Sequence, residues 1–450
     1  MEEILVQQSK MSKLTHEGYR FTPEEAAQTE EALKKNPEDI EGRTRLLGFY
    51  FAPNSQSLKP DARSQARRRH ILWLIANHPD SAVLGLPEST VNRDGHYLGD
   101  SDGYEQVKKA WLDAAAKKDV SADVIGNAAR FFLFSEKELG AELYARARKT
   151  EPGNPLWVGL QGSAMAFGIV GIPSVNQNGF PDAADPKEAV SDTSRKFRAD
   201  LEASKDIDLL LAAAGELMAR GLMAQSIAQE KTGGRFPVEA LGVAEVLLKR
   251  AEVLAPKNAA IHTALARNYE LRVMSSNTDE DRKSWASLRY EELRQGLSGV
   301  KEDDPASAQQ MLTLARAAMD AGDVDRAAGL AKLLLAMTPM LGEDPKTARG
   351  VDDIKHHSYI ILGRVALRKG DVEAAKADLL DAGRVKGGQL LAFYGPNMSL
   401  AKELLERGER DVVLQFLALC RKFWGFPEKL EPWIAAIKKG ELPDFGANLN

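Results

Sequence analysis

Apolar residues recur at three- and four-residue spacing along most of the chain, and runs that alternate apolar with polar positions are nearly absent. That period belongs to helices with one buried face, and the abundant Ala, Leu, Glu, Lys and Arg are good helix formers. The pattern predicts an all-α protein. In the stretch HHSYIILGRVALRKGDVEAAKADLLDAGRVKG (356–387) it predicts a helix over 358–368, a break at "KGD", and a second helix over 372–384. Gly370 suits the left-handed turn after a helix, and Asp371 suits the N-cap of the next. The two helices form an antiparallel hairpin, which cannot bury both its faces alone.

The same pattern recurs in further units, each counted over about 34 residues. Counting His356 as the first place, the seventh and eighth places hold Leu362 and Gly363, the fifteenth Gly370, the twentieth Ala375, the twenty-fourth Leu379 and the twenty-seventh Ala382. From Ala308 the same places hold Leu314, Ala315, Gly322, Ala327, Ala331 and Leu334, with Pro339 following; from Tyr394 they hold Leu400, Ala401, Gly408, Val413, Leu417 and Cys420. A unit from Ser121 carries Asn127, Ala128, Ser135, Gly140, Tyr144 and Ala147 and closes on Pro152, and a looser one from Ala259 carries Leu265, Ala266 and Tyr269. Small side chains at the eighth, twentieth and twenty-seventh places let helix axes approach to about 8–10 Å.

This register resembles the tetratricopeptide repeat, a helix-turn-helix unit with small residues at those places and proline near its end. The resemblance implies antiparallel hairpins stacked as a right-handed solenoid, an α/α superhelix. Diverged hairpins are expected around Asn36-Pro37, before Pro79 and after Asn154-Pro155. The segments RRRHILWLIANHPDSAVLGLPESTVNRDGHYLGDSDGYEQVKKAWL and YGPNMSLAKELLERGERDVVLQFLALCRKFW, with the tail PDFGANL, also resemble a group of bacterial repeat proteins, a likeness that implies no chemistry. The stretch GIVGIPSVNQNGFPDAADPKEA is too rich in Gly, Pro and Asn to be helical. It divides the chain into an N-terminal half (1–170), an insertion and linker (171–205) and a C-terminal half (206–450).

With 44% hydrophobic and 28% charged residues and a net charge of -5, the chain has no global drive toward nucleic acid or an anionic membrane. Cys420 is the single cysteine, so neither an intrachain disulfide nor a cysteine-based zinc cage can form. MEEILVQQSK lacks the basic start and apolar core of an export signal, which points to the cytoplasm; an exported bacterial protein already freed of its signal is the alternative. No apolar run is long enough to span a bilayer.

Candidate chemistry is sparse. Asp100, Asp102 and Gly103 mimic the middle of a calcium loop, but the register puts Leu98 and Lys109 at ligand places, so Ser101 or Asp102 reads as a helix cap. Asp352/His356 and Asp353/His357 share helix faces, yet the two pairs point about 100° apart, too far for one metal ion. The cluster ARRRH (66–70) reads as a solvated face, and the six tryptophans as packing between layers. No nucleophile elbow or phosphate loop is present, so no catalytic residue, metal or cofactor is assigned.

The repeat register supplies the functional candidate. The ninth place of each first helix faces the concave groove of a tetratricopeptide-like stack, and here it holds Arg267, Arg316, Arg364 and Lys402. Four cations in a row suit a protein or peptide partner that is acidic or ends in a carboxylate. Local pairing competes, because Asp320 lies four residues after Arg316, Glu406 four after Lys402, and Glu270 three after Arg267. The fifth places hold Thr263, Leu312, Ile360 and Met398, expected as an apolar floor beside the cations; they do not reproduce the asparagine-and-lysine clamp of chaperone-binding repeats. The expected function is a non-enzymatic scaffold or adaptor that binds a protein or peptide in this partly basic groove. The alternative is an enzyme or small-molecule receptor whose site is formed between the halves by the 171–186 insertion and the loop around His96. A third is oligomerisation through the terminal helices.

Overall fold

A computed structural model describes residues 2–52, 58–93, 99–133, 135–170, 191–232, 238–276, 278–343 and 348–449. The fold is the all-α stack of antiparallel helical hairpins expected of a tetratricopeptide-like chain. Among the described residues there is no strand, and the single β-bridge joins Asn92 to Gly99. The helices group into two compact units, Met1–Ala255 and Pro256–Asn450.

In the first unit the helices are α1 (Glu2–Gly18), α2 (Pro23–Lys35), α3 (Ile40–Phe51), α4 (Pro60–Asn77), α5 (Ser101–Ala115), α6 (Ala122–Phe132), α7 (Lys137–Thr150), α8 (Pro155–Val170), α9 (Asp192–Ala203), α10 (Ile207–Thr232) and α11 (Val238–Leu254). Close approach between them depends on absent side chains. A Cβ on Gly48 would lie 2.1 Å from the Thr15 carbonyl oxygen where α3 crosses α1, and one on Gly126 would enter the Trp157 ring at 2.3 Å. Gly162 brings α8 against α10, where a Cβ would sit 2.7 Å from the Ala213 nitrogen. The 171–186 insertion lies outside the described residues, but α8 before it packs on both α9 and α10 after it. The break in packing thus falls after Ala255, and the partition into 1–170, 171–205 and 206–450 remains a proposal about functional organisation.

The second unit contains α12 (Ala259–Ser275), α13 (Asp279–Gly296), α14 (Ala308–Ala321), α15 (Val324–Glu343), α16 (Val351–Arg368), α17 (Val372–Gly383), α18 (Gln389–Tyr394), α19 (Ser399–Leu405), α20 (Arg410–Cys420) and α21 (Leu430–Lys438). Its hairpins pair α12 with α13, α14 with α15, α16 with α17 and α19 with α20. The register of small residues is a register of contacts: Ala315, Ala327, Ala375, Ala382, Ala401 and Cys420 are all fully buried. At the eighth place of the α16 hairpin, a Cβ on Gly363 would stand 2.3 Å from Leu400 of α19 and 3.3 Å from the Ala375 carbonyl of α17. One missing side chain therefore serves a three-helix junction. Gly370 takes the left-handed conformation (φ 82°), and the Asp371 carboxylate accepts the Ala374 amide at 2.9 Å, capping α17. Helix α16 starts seven residues before the expected boundary, and α15 continues through Pro339.

Candidate functional site

The ninth-place cations lie on α12, α14, α16 and α19, and the structure threads carboxylates between them. Arg364 donates from Nη1 to Asp320 at 3.1 Å and from Nε to Glu403 at 2.9 Å. Arg368, one turn on, also donates to Glu403, at 2.7 Å. Arg289, from the second helix α13, donates to Glu270 at 3.0 Å and lies 3.8 Å from Asp320. Arg267 pairs with Glu270, and Lys402 lies 3.9 Å from Glu406. The expected row of cations is thus an alternating chain of charge that crosses from hairpin to hairpin, with the local pairs Arg267–Glu270 and Lys402–Glu406 present and Asp320 turned to Arg364. Burial would lower the Arg364 pKa, but Asp320 and Glu403 outweigh it and hold the guanidinium more firmly charged than usual. Burial likewise works against the Glu403 carboxylate, whose pKa is nevertheless lowered by Arg368 and Arg364.

The apolar floor is corrected by the structure. Leu312, Ile360 and Met398 are at most 2% exposed and belong to the core between the helices. Thr263 is exposed, with its hydroxyl donating to the Ala259 carbonyl at 2.8 Å. The face between the cations is accordingly polar, because residues of these sizes at a close helix crossing are consumed by packing.

Arg316 stands apart in this row. Its expected partner, Asp320, faces Arg364 of the next hairpin, and no carboxylate among the described residues lies within ion-pair distance of Arg316. The side chain is half-buried. Burial comes first in lowering its pKa, Arg289 and Arg364 act in the same sense, and Asp320 and Glu270 compensate only in part. His357, in the first turns of α16, is its neighbour in this field: burial, then His356, then Arg316 push the imidazole well below its ordinary pKa. The His357 ring is half-buried, lies edge-on to His356 with centroids 5.3 Å apart, and makes no hydrogen bond among the described residues. Sequence reasoning named Arg316 and weighed His357 only as a metal ligand paired with Asp353, and it missed Arg289. The second-place position of His357 on a first helix was the available signal.

The remaining candidates are structural. Asp353 accepts the Leu391 amide at 2.9 Å in the core. His356 Nδ1 bonds the Ala382 carbonyl at 2.9 Å while Nε2 accepts the Asn397 amide at 3.0 Å, so neither Asp353 nor His356 is free for a metal. The cap of α5 is Asp100, which accepts the Gly103 amide at 2.9 Å and also Arg68 at 3.1 Å, rather than Ser101 or Asp102. The cluster ARRRH is largely internal rather than solvated: Arg67 is buried and donates to the Glu88 carbonyl at 3.0 Å, and His70 is 1% exposed. His70 Nδ1 must accept from Arg43 at 3.2 Å, since guanidinium only donates, so Nε2–H donates to Glu30 at 2.9 Å. Glu30 also accepts Tyr50 and Arg69, each at 2.7 Å. Cys420 is buried, and burial raises its thiol pKa well above the ordinary value. His96 and the 171–186 insertion, the basis of the alternative site, lie outside the described residues. No helix among the described residues is long and apolar enough to cross a membrane.

No protein-family model matches the chain, and no curated protein matches it in sequence. Among solved structures it is similar to the human IFIT1 dimer with PPP-AAAA, at 14% identity and a TM-score of 0.29 over 94% of each chain. It is similar to a monomeric IFIT1 mutant with m7Gppp-AAAA at 15% identity and a TM-score of 0.32, covering 96% of this chain and 93% of that one. The APC/C hetero-tetramer Cut9–Hcn1 matches at 12% identity and a TM-score of 0.19, covering 97% of this chain and 90% of that one. At these scores neither partners nor mechanism carry over from those proteins to this chain.

Proposed function

We propose that the chain is a non-catalytic helical-repeat scaffold whose second unit binds a segment of another protein along its first-helix face. The observation that supports this reading best is the row running from Arg267 through Arg316 and Arg364 to Lys402. Its ion pairs are partly exposed and exchangeable, and one of its cations, Arg316, pairs with no carboxylate among the described residues. Partly exposed pairs contribute little stability, roughly 0–1 kcal/mol each, and can be traded for a partner's charges at small cost. An acidic segment is the complementary occupant. The proposed compartment is the cytoplasm, and the proposed kinship is with bacterial repeat proteins. Of the halves 1–170 and 206–450, joined by 171–205, the second is proposed to carry the partner site.

The test is affinity capture with the full chain and with a triple variant, Arg267→Glu, Arg316→Glu and Lys402→Glu, followed by binding measurements on the purified partner. Arg364 is retained because it holds Asp320 and Glu403 in place. Loss of the partner from the variant, with helicity unchanged, supports the reading. An unaltered partner set, or capture of nucleic acid in place of protein, overturns it.

A further inference from the structure

A guanidinium withdrawn from water without a counter-charge is costly, and such a group persists where function requires it. In this row the arginines on either side of Arg316 are satisfied. Arg364 holds Asp320 and Glu403, and Arg289 holds Glu270. Stepping one turn back along α14 and α16 from the Asp320–Arg364 pair brings Arg316 level with Ile360, between Arg364 and His357. Ile360 is buried, so the half-buried polar side chains at that level are Arg316 and, one turn nearer the start of α16, His357. Both are half-buried, both carry donors, and neither finds an acceptor among the described residues.

Resting on the surface reading above, we infer that Arg316 and His357 form an anion pocket that takes one carboxylate of the bound protein segment, a Glu or Asp side chain or a chain terminus. The guanidinium offers two parallel N–H donors to the two carboxylate oxygens, and the imidazole a third donor to one of them. Charge selects the carboxylate over a doubly charged phosphate. Burial keeps His357 neutral, so it contributes an N–H and no charge; of the groups whose fields act on Arg316, Arg289 and Arg364 balance Asp320 and Glu270, which leaves the charge of Arg316 itself. A dianion would overshoot that charge and meet Asp320 and Glu270, whose fields reach Arg316.

The test follows the Arg316 Nε–Hε resonance of the full chain, identified by its absence from Arg316→Gln, during titration with sodium acetate, inorganic phosphate or sodium chloride at matched ionic strength. Acetate is expected to give a saturable shift of this resonance and of the His357 ring, which inorganic phosphate and chloride do not reproduce. Arg316→Lys keeps the charge but loses the paired donors, so the shift at His357 should need about tenfold more acetate. An acetate response no different from chloride overturns the inference, as does tighter binding of inorganic phosphate. A partner captured equally well by Arg316→Gln and by the native chain, yet lost from the triple variant, defeats this pocket and leaves the surface reading intact. Failure of the triple variant to lose the partner defeats the surface reading and, because Arg316 is changed in it, the assignment of the pocket to the bound segment, whereas loss of the acetate shift alone defeats the pocket and leaves the surface reading standing.

Discussion

Replacing Arg316 by methionine should stabilise the protein, whereas the same replacement at Arg364 should destabilise it. Methionine keeps the apolar stem and removes the charged head in both cases. At Arg316 the lost head is a half-buried cation whose pKa is lowered by burial and by Arg289 and Arg364. Exchanging buried charged groups for apolar ones gains about 1–4 kcal/mol, and for a side chain only half withdrawn from water the lower end applies, about 1 kcal/mol. At Arg364 the lost head is the shared partner of Asp320 and Glu403, and Glu403 is only 15% exposed. Stranding these carboxylates costs about 2 kcal/mol, less than for a fully buried pair because Arg368 still holds Glu403. Urea unfolding followed by far-UV circular dichroism reads the difference. With a slope of about 2 kcal/mol/M, the midpoint should rise by roughly 0.5 M for Arg316→Met and fall by roughly 1 M for Arg364→Met. A midpoint that falls for both variants would show instead that Arg316 is satisfied inside the folded chain.

Three further outcomes follow from the packing and the buried groups. Gly48→Ala should destabilise the first unit by about 2 kcal/mol, because the new methyl meets Thr15 backbone, which cannot rotate away; thermal melting checks it, and an unchanged midpoint would contradict the close crossing. Burial would raise the Glu30 pKa, but His70, Tyr50 and Arg69 outweigh it and hold it at about 2, while burial pushes His70 below its usual value. Both folded values lie below the unfolded ones, so this stability is complete above about pH 6.5 and is lost as pH falls toward 2; denaturation across that range should show it, and Glu30→Gln should flatten the acid limb. Cys420 should stay unreactive toward a thiol reagent in the native protein and react on unfolding, and rapid native labelling would contradict its burial.

Local chemistry made much of the fold legible. Gly370 and Asp371 mark a turn whose conformation only certain residues tolerate, and Ala315, Gly363 and Ala401 mark crossings that exclude larger ones. The pairing of charges was not legible in the same way. The rule that residues four apart on a helix meet assigned Asp320 to Arg316, whereas Asp320 lies on the thirteenth place of one first helix beside the ninth place of the next and binds Arg364. Arg289 reaches this face from a second helix, outside the first-helix register. The fifth-place residues failed as a floor because spacing shows which face a residue is on and not how closely the next helix covers it. The cluster ARRRH misled for a related reason, since Arg67 is buried by the Glu88 carbonyl, a partner distant in sequence.

Hydrogen exchange of the full chain with and without its captured partner shows which helices the partner covers. Binding along the first-helix face of the second unit predicts slowed exchange across α14 and α16, centred on the turns that carry Arg316 and Arg364. Protection confined to the first unit, or to the second helices α15 and α17, would contradict it.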